Sequence, residues 1–187
     1  EEGDADPASL HAPITKALRE GHIIPVCFTS AKNLIGIRDF MKVIIRHLPS
    51  PAEANVSLFE KRDGTPIPTE PSAQMPVLAH VFKIISDPFV GKIGIFRVHQ
   101  GQIRPGTTLY IDDSRKPIKV NKPLILQGKE TAETDELNPG DIGALNKIDD
   151  MHYGAILHSS LLDYDVRMKP LDFPQPMFGL DLTPLRR

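Results

Sequence analysis

The residues of this sequence whose type and spacing best suit a chemical role are the basic ones, which could contact phosphate groups. They recur through the second half of the chain, among runs of β-branched residues and turns. Loops and strand ends that carry Lys and Arg suit contacts with a nucleic-acid backbone, which position a protein without reading sequence. For any single residue a solvated surface is the better explanation, and only as a group are these residues candidates for contact with a nucleic-acid backbone. The candidates are Lys92, Arg97, Arg115, Lys116, Lys119 and Lys122.

The overall charge adds no support for RNA binding. The 187 residues carry a formal net charge of -2 at pH 7, so any RNA contact must come from a local patch. The hydrophobic content of 40% is ordinary for a globular core, and no apolar run is long enough to span a membrane. No targeting segment is visible, so we expect a cytoplasmic protein with no membrane or DNA partner.

No group of residues in the sequence has the spacing of an enzyme site or a metal site. The seven histidines are scattered, without the spacing from Cys, Asp or Glu that a closed metal site needs. Neither a Gly-x-Ser-x-Gly nucleophile motif nor a Gly-x-x-x-x-Gly-Lys-Ser/Thr phosphate-binding loop occurs. We therefore expect no catalytic residue, no metal and no GTP hydrolysis by this chain. The single cysteine, Cys27, lies in an apolar run and is expected to be buried.

The elements that carry the basic residues are predicted to be short β-strands. Val77 to Val98 contains two runs rich in Val, Ile and Phe, joined by a turn at Asp87-Pro88. Pro105-Gly106 and Pro139-Gly140 place proline and glycine as the central residues of type II turns require. Strands at such short intervals favour an antiparallel β-barrel over residues 76–162. Further strands are predicted within Thr107 to Asp112, Arg115 to Leu126, Ile142 to Ile148 and Ala155 to His158.

The N-terminal part of the chain has the pattern of an α/β unit. Pro13 to Glu20 is predicted as a short amphipathic helix, and residues 37–48 as a second helix. Between them, Ile23 to Phe28 is continuously apolar, as in a strand that is covered on both faces. One strand cannot cover both of its own faces, so residues 1–51 are predicted to be a partial α/β remnant of a larger domain.

Proline-rich segments flank the predicted barrel. Residues 52–75 contain prolines among polar residues and are predicted to form a linker with little to pack apart from Leu58 and Phe59. Residues 163–187 contain a short apolar run, Met177 to Leu182, which is expected to lack a packing partner.

Several of these stretches resemble elongation factor G and related translational GTPases. Residues 82–93 have the pattern F-K-I-x-x-D-P-F-V-G-K-I, and residues 97–106 have the pattern R-V-x-x-G-x-I-x-x-G. Both patterns fit the β-barrel that follows the GTPase domain in that family. The strand, the Ser30-Ala31-Lys32 loop and the helix ahead of them are similar to the end of the GTPase domain.

The resemblance implies domains, cofactors and partners. Residues 1–51 would end a P-loop GTPase domain, residues 76–162 would be the domain II barrel, and residues 163–187 would begin the next domain, so the chain would be a fragment. In the intact parent, a GTPase that binds GTP and magnesium, the backbone N–H groups of Ser30, Ala31 and Lys32 would contact the guanine base. The barrel would couple the GTPase domain to docking on the RNA and protein of the small ribosomal subunit, during GTP-driven elongation and translocation.

A second motif matches a guanine-binding sequence of GTPases but stands at the wrong place in the chain. Asn146-Lys147-Ile148-Asp149 matches the Asn-Lys-x-Asp motif of GTPases, but it follows the Ser30 loop, whereas the family has it ahead of that loop. Motifs count only in their structural context, so we interpret this one as a strand end followed by a polar turn.

Three alternatives stay open from the sequence. Pro123 to Glu130 stands where elongation factor G has a basic, histidine-bearing stretch, and is more similar to divergent elongation factor G-like proteins. The parent could therefore be a paralogue without a translocase role. The other two alternatives are an autonomous protein- or RNA-binding barrel, and an enzyme whose site forms between barrel and remnant.

Overall fold

The computed structural model describes residues 10–51, 59–87, 91–128, 130–160, 165–169, 174–183 and 185. The predicted turn at Asp87-Pro88 is centred outside these residues, since residues 88–90 are not described. Among the described residues, no helix has the length and apolar character that a membrane crossing requires.

Two helices lie in the N-terminal part of the chain, as predicted. Helix α1 spans His11–Arg19 and helix α2 spans Ile37–His47. Gly36 precedes α2 with φ of +70°, and the chain leaves the helix through the extended residue Leu48, just ahead of Pro49. The apolar stripe of α2 is not buried, however, and Phe40 and Met41 are 41% and 47% exposed.

The prediction of a strand at Ile23 to Phe28 is wrong for the described chain. Residues 23–29 form no strand, and Ile24, Val26 and Phe28 are 85%, 75% and 91% exposed. Cys27 is exposed too, so its predicted burial is also wrong. A strand exists only when a neighbour completes its hydrogen bonds, and no described strand lies beside this segment.

The body of the protein is an eight-stranded antiparallel sheet. Its strands are β3 (Leu78–Asp87), β4 (Gly91–Gln100), β5 (Thr108–Ile111), β6 (Ile118–Lys119), β7 (Leu124–Gln127), β8 (Glu130–Glu133), β9 (Ile142–Asn146) and β10 (Ile156–His158). Their spatial order is β6-β5-β10-β3-β4-β9-β7-β8. The sheet curls round the largest hydrophobic cluster in the described part of the chain, which confirms the prediction of a mainly β, barrel-type fold. The pairing is open between its two edge strands, β6 and β8, in the described residues.

Strands β3 and β4 form the longest hairpin and carry much of the core. Val81, Phe96 and Val98 are fully buried on its inner face, as expected for side chains that alternate across a pleated strand. A β-bulge interrupts the pairing at Phe82, because Val81 pairs with Phe96 whereas Lys83 pairs with Ile95. The bulge leaves Phe82 without a partner residue on β4.

The two predicted proline-glycine turns are confirmed. Gly106 and Gly140 have φ of +89° and +95°, the values that the third residue of a type II turn needs. The backbone N–H of Thr107 donates to the carbonyl of Arg104 at 3.0 Å, and that of Asp141 donates to the carbonyl of Asn138 at 3.0 Å.

The run from Arg115 to Leu126 is not one strand. It is divided between β6 and β7, and Pro117 and Pro123 each stand just before one of these strands. Proline has no N–H to donate to a neighbouring strand, so it limits pairing at both places. Strand β8 was not predicted, because its sequence Glu-Thr-Ala-Glu is exposed throughout and has no apolar alternation.

A separate three-stranded sheet packs on the outer face of the large one. It consists of β1 (Phe59–Lys61), β2 (Pro66–Ile67) and β11 (Val166–Met168), in the order β11-β1-β2. Phe59 is 1% exposed and packs with Leu78 and Ile156 of the large sheet. The burial of Phe59 agrees with its exception from the predicted linker, but the strands β1 and β2 within residues 52–75 were not predicted.

Beyond β11, the described apolar side chains of the C-terminal tail are exposed. Met177 and Leu182 are 99% and 93% exposed, and no strand is formed over residues 174–183. The tail thus has no packing partner in the described structure.

Candidate nucleic-acid interface

Two of the predicted RNA-contact residues, Lys92 and Lys116, contact the same turn, which spans residues 147–150. Lys92, the second residue of β4, donates from Nζ to the carbonyl of Asp149 at 2.9 Å. Lys116, in the loop before β6, places Nζ 3.4 Å from the Asp150 carboxylate. The turn also receives a hydrogen bond at its start, where the backbone N–H of Lys147 donates to the carbonyl of Lys92 at 3.2 Å.

Two further candidates have partners within the chain. Arg97 is partly buried and donates from Nη1 to the carbonyl of Gly140 at 2.8 Å, which fastens the second type II turn to β4. Lys122 pairs with Glu133 at 2.6 Å, and that hydrogen bond raises the pKa of the Lys122 ammonium. Both charges are partly compensated before any ligand arrives.

Arg115 and Lys119 differ from these four, because neither has an ion-pair partner among the described residues. Lys119 pairs directly with Thr108 across β5 and β6. Its neighbours Ile118 and Val120 pack in or against the core, so Lys119 lies on the outer face of the sheet. The structure therefore separates the six predicted residues into four that are engaged and two that are free to meet phosphate.

A histidine pair lies on the same outer face and was not predicted as a unit. His80 Nδ1 and His99 Nε2 are 2.7 Å apart on the neighbouring strands β3 and β4. Burial lowers the pKa of both rings, and the nearby Arg97 charge lowers them further; the pKa of His99 falls to about 4. Pairing the strands one-to-one from Gly91 would not have found this contact, because register shifts between Val81 and Lys83 and between Leu78 and Ala79 change which residues are neighbours.

The predicted guanine-contacting loop forms a tight turn. Ser30 and Ile35 exchange two backbone hydrogen bonds of 2.9 and 3.1 Å, and Ser30 Oγ accepts the N–H of Asn33 at 3.3 Å. Ala31 and Lys32 are exposed, and their backbone N–H groups have no acceptor among the described residues. The turn therefore leaves these two N–H groups without an acceptor in the described chain.

The Asn146-Lys147-Ile148-Asp149 motif is a strand end followed by a polar turn, as interpreted from the sequence. Asn146 is the last residue of β9, and Lys147 adopts φ of +59° where the chain leaves the strand. Among the residues that the structure describes, no group of three or more His, Cys, Asp or Glu side chains could hold a metal ion.

Comparison with known proteins agrees with the resemblance seen in the sequence. The family model described as "Elongation factor G domain 2" matches residues 76–160. Elongation factor G of Chlamydia trachomatis is 28% identical over 176 residues, which are 94% of this chain and 25% of that protein. Elongation factor G 2 of Syntrophomonas wolfei is 28% identical over 179 residues, 95% of this chain and 25% of that protein.

A solved structure shares the fold. The crystal structure of a protein from Thermus thermophilus superposes with a TM-score of 0.65 at 24% sequence identity, over 92% of this chain and 24% of that one. The chain thus spans about a quarter of the length of the proteins it matches. The chain is similar to elongation factor G over most of its length, and its residues 76–160 match the elongation factor G domain 2 model.

Proposed function

We propose that this chain is part of an elongation factor G-like translational GTPase, and that its barrel docks on the small ribosomal subunit. The match of residues 76–160 to elongation factor G domain 2 carries the proposal. Docking would couple the barrel to GTP-driven elongation in the cytoplasm. Residues 1–51 would end the GTPase domain, residues 52–75 would connect it to the barrel of residues 76–162, and residues 163–187 would begin the next domain.

The exposed N-terminal segment supports the GTPase part of the proposal. Residues 23–28 are apolar and exposed, and the backbone N–H groups that they carry make no hydrogen bond in the described chain. Such a segment is stable only as a strand between other strands, which a GTPase domain would provide. The adjoining Ser30, Ala31 and Lys32 would then contact guanine in the intact parent, which would bind GTP and magnesium.

The basic surface supports the docking part. Arg115 and Lys119 are cations without an ion-pair partner in the described chain; Lys119 is the last residue of the edge strand β6, and Arg115 lies in the loop before it. Lys92, Lys116 and Lys122 would add charge around them, and Arg97 would hold the Gly140 turn in place. Contacts of this kind with phosphate are electrostatic, so docking should weaken as salt is raised.

Co-sedimentation of the purified chain with isolated bacterial ribosomal subunits tests the proposal. The chain should pellet with small subunits at low salt and be released at high salt, and it should pellet less with large subunits. Equal pelleting with both subunits, or none with either, would contradict docking on the small subunit.

A further inference from the structure

A groove of about 360 Å³ lies on the outer face of the large sheet, beside the small three-stranded sheet. A volume of this size suits one small planar group. Its floor is apolar and includes Ile156, and its polar and aromatic lining comes from His80, Phe82, Asp112, Tyr153, Arg167 and Lys169. No part of the mechanism proposed above uses these residues.

The walls of the groove are fixed by hydrogen bonds. The backbone N–H of Gly154 donates to the carbonyl of Val81 at 2.8 Å, which holds the Tyr153 loop against β3. Asp112 has φ of +48°, and it both donates its N–H to the carbonyl of Ile156 and accepts the Ile156 N–H on Oδ1, each at 2.9 Å. A groove built in this way is formed before a ligand arrives.

Two aromatic rings line the groove and keep exposed surface. Phe82 is the unpaired residue of the β-bulge and is 36% exposed, and Tyr153 is 67% exposed. Bulges are a common means of turning a side chain towards a binding site. Exposed rings on a fixed frame are suited to stacking against a planar ligand.

The polar groups offer hydrogen bonds and positive charge. His80 uses Nδ1 for the contact with His99, and its Nε2 makes no hydrogen bond within the described chain. Asp112 Oδ2 lies at the far side, 3.3 Å from His152 Nε2. Arg167 is held by Glu60 at 2.9 Å, whereas Lys169 has no ion-pair partner among the described residues. Lys169 is therefore available to an anionic group.

We propose that this groove takes one unpaired RNA nucleotide, with its base against Phe82 and Tyr153 and its phosphate at Lys169. His80 Nε2 and the Asp112 carboxylate would face the edge of the base. A nucleotide is favoured over a protein side chain because it combines a stacking plane, hydrogen-bonding edges and a phosphate in one unit.

The groove and the basic surface lie on one face of the sheet. Ala79 and Val81 are in the core, so His80 is on the outer face, as is Lys119 two strands beyond β10. An RNA segment whose backbone meets Lys119 could therefore place a looped-out base in the groove. The nucleotide site rests on the proposed ribosome docking for its biological partner, but mononucleotide binding can be measured without a ribosome.

The test is a titration of the isotope-labelled full chain with each of the four nucleoside 5′-monophosphates, followed by backbone amide NMR. Selective shifts at Phe82, Gly154 and Lys169 are expected. Tyr153→Ala and Lys169→Ala should each weaken the apparent affinity by about tenfold, as expected for losing one stack or one phosphate contact. The matched controls Phe28→Ala and Lys42→Ala remove an aromatic ring and an ammonium from other exposed positions and should leave the affinity unchanged.

Two additional probes separate the outcomes. Ribose 5-phosphate should bind weakly because it has no base, and N-acetyltyrosinamide, a stand-in for a protein side chain, should bind weakly because it has no phosphate. Equal shifts with ribose 5-phosphate, stronger binding of N-acetyltyrosinamide, or no shifts at the groove would each overturn the nucleotide site. If the chain pellets with small subunits but no mononucleotide binds in the groove, the nucleotide site is overturned and the docking proposal stands. If mononucleotides bind but the chain does not pellet, the docking proposal is overturned and the nucleotide site stands.

Discussion

His80 and His99 face each other across β3 and β4 with 2.7 Å between Nδ1 and Nε2, and both rings lie next to Phe59. One nitrogen of such a contact must donate and the other accept, so the pair is satisfied when both rings are neutral. A proton added to His99 would have to be accommodated beside Arg97, in a partly buried position. The small sheet therefore covers a site that favours the neutral imidazole.

The first prediction concerns pH. The pKa of His99 is lowered from 6.5 to about 4, first by burial and then by the charges of His80 and Arg97. Because the unfolded chain binds this proton more tightly, stability is complete above pH 6.5 and is lost as the pH falls towards 4. We expect a loss on the order of 1–2 kcal/mol in the free energy of unfolding, after allowing for partial exposure.

Urea denaturation at a series of pH values checks this expectation. His99→Gln should make the free energy of unfolding depend less steeply on pH between pH 7 and about 5. His22 is exposed, so His22→Gln should leave this pH dependence as it is in the parent chain. The same slope in all three proteins would show that His99 does not supply the effect.

The second prediction tests whether the segment ahead of the barrel is part of its fold. Phe59→Ala should lower the free energy of unfolding by about 3–4 kcal/mol, because the ring is 1% exposed and packs between His99 and Leu78. Phe28→Ala makes the same deletion where the ring is 91% exposed and should change stability by less than about 0.5 kcal/mol. Similar stabilities of the two variants would mean that residues 59–61 do not pack on the barrel.

The third prediction separates backbone conformation from close packing at two glycines. Both have positive φ, +72° at Gly101 and +89° at Gly106. A Cβ at Gly101 would come within 2.6 Å of the Val77 backbone, whereas at Gly106 it would meet nothing within 4 Å. Gly106→Ala should therefore lower the free energy of unfolding by about 1 kcal/mol, because of the positive φ alone. Gly101→Ala should lower it by about 3 kcal/mol or more, because the clash is added to the positive φ. Thermal unfolding of both variants measures the difference, and equal losses would rule out the predicted clash.

Much of the barrel could be predicted because its signals are local. The β3–β4 hairpin follows from its apolar runs, and the two type II turns follow from Pro105-Gly106 and Pro139-Gly140, where proline sets φ and glycine tolerates a positive φ. The helices follow from apolar residues that repeat every three or four positions.

The features that were missed depend on distant residues. Strand β1 pairs with β11 through Glu60 and Arg167, which are 107 positions apart, and no local pattern predicts that contact. The apolar run at residues 23–28 was predicted as a buried strand, but it forms no strand in the described chain. Its exposure could not be predicted, because a strand's burial depends on neighbouring strands and not on its own residues.

The candidate site was predicted as a set of basic residues. The structure separates those that have a partner within the chain from those that have no ion-pair partner among the described residues. Lys116 and Lys122 have acidic neighbours that are far away in sequence, Asp150 and Glu133, so ion pairing could not be read from the local charge pattern. The groove was missed for a similar reason. Phe82 and Tyr153 meet there only because a bulge and a tight loop bring two distant segments together.

The fourth prediction concerns the two free cations, and it tests the docking proposal most directly. The affinity of the chain for isolated small ribosomal subunits should be measured over a series of salt concentrations. The double variant Arg115→Ala with Lys119→Ala should bind more weakly at low salt, and the slope of log affinity against log salt should become shallower by about 2, one for each lost phosphate contact. Lys42→Ala with Arg46→Ala removes the same amount of charge from α2 and should bind with the slope of the parent chain. A slope that is identical in all three proteins would contradict RNA docking through this surface.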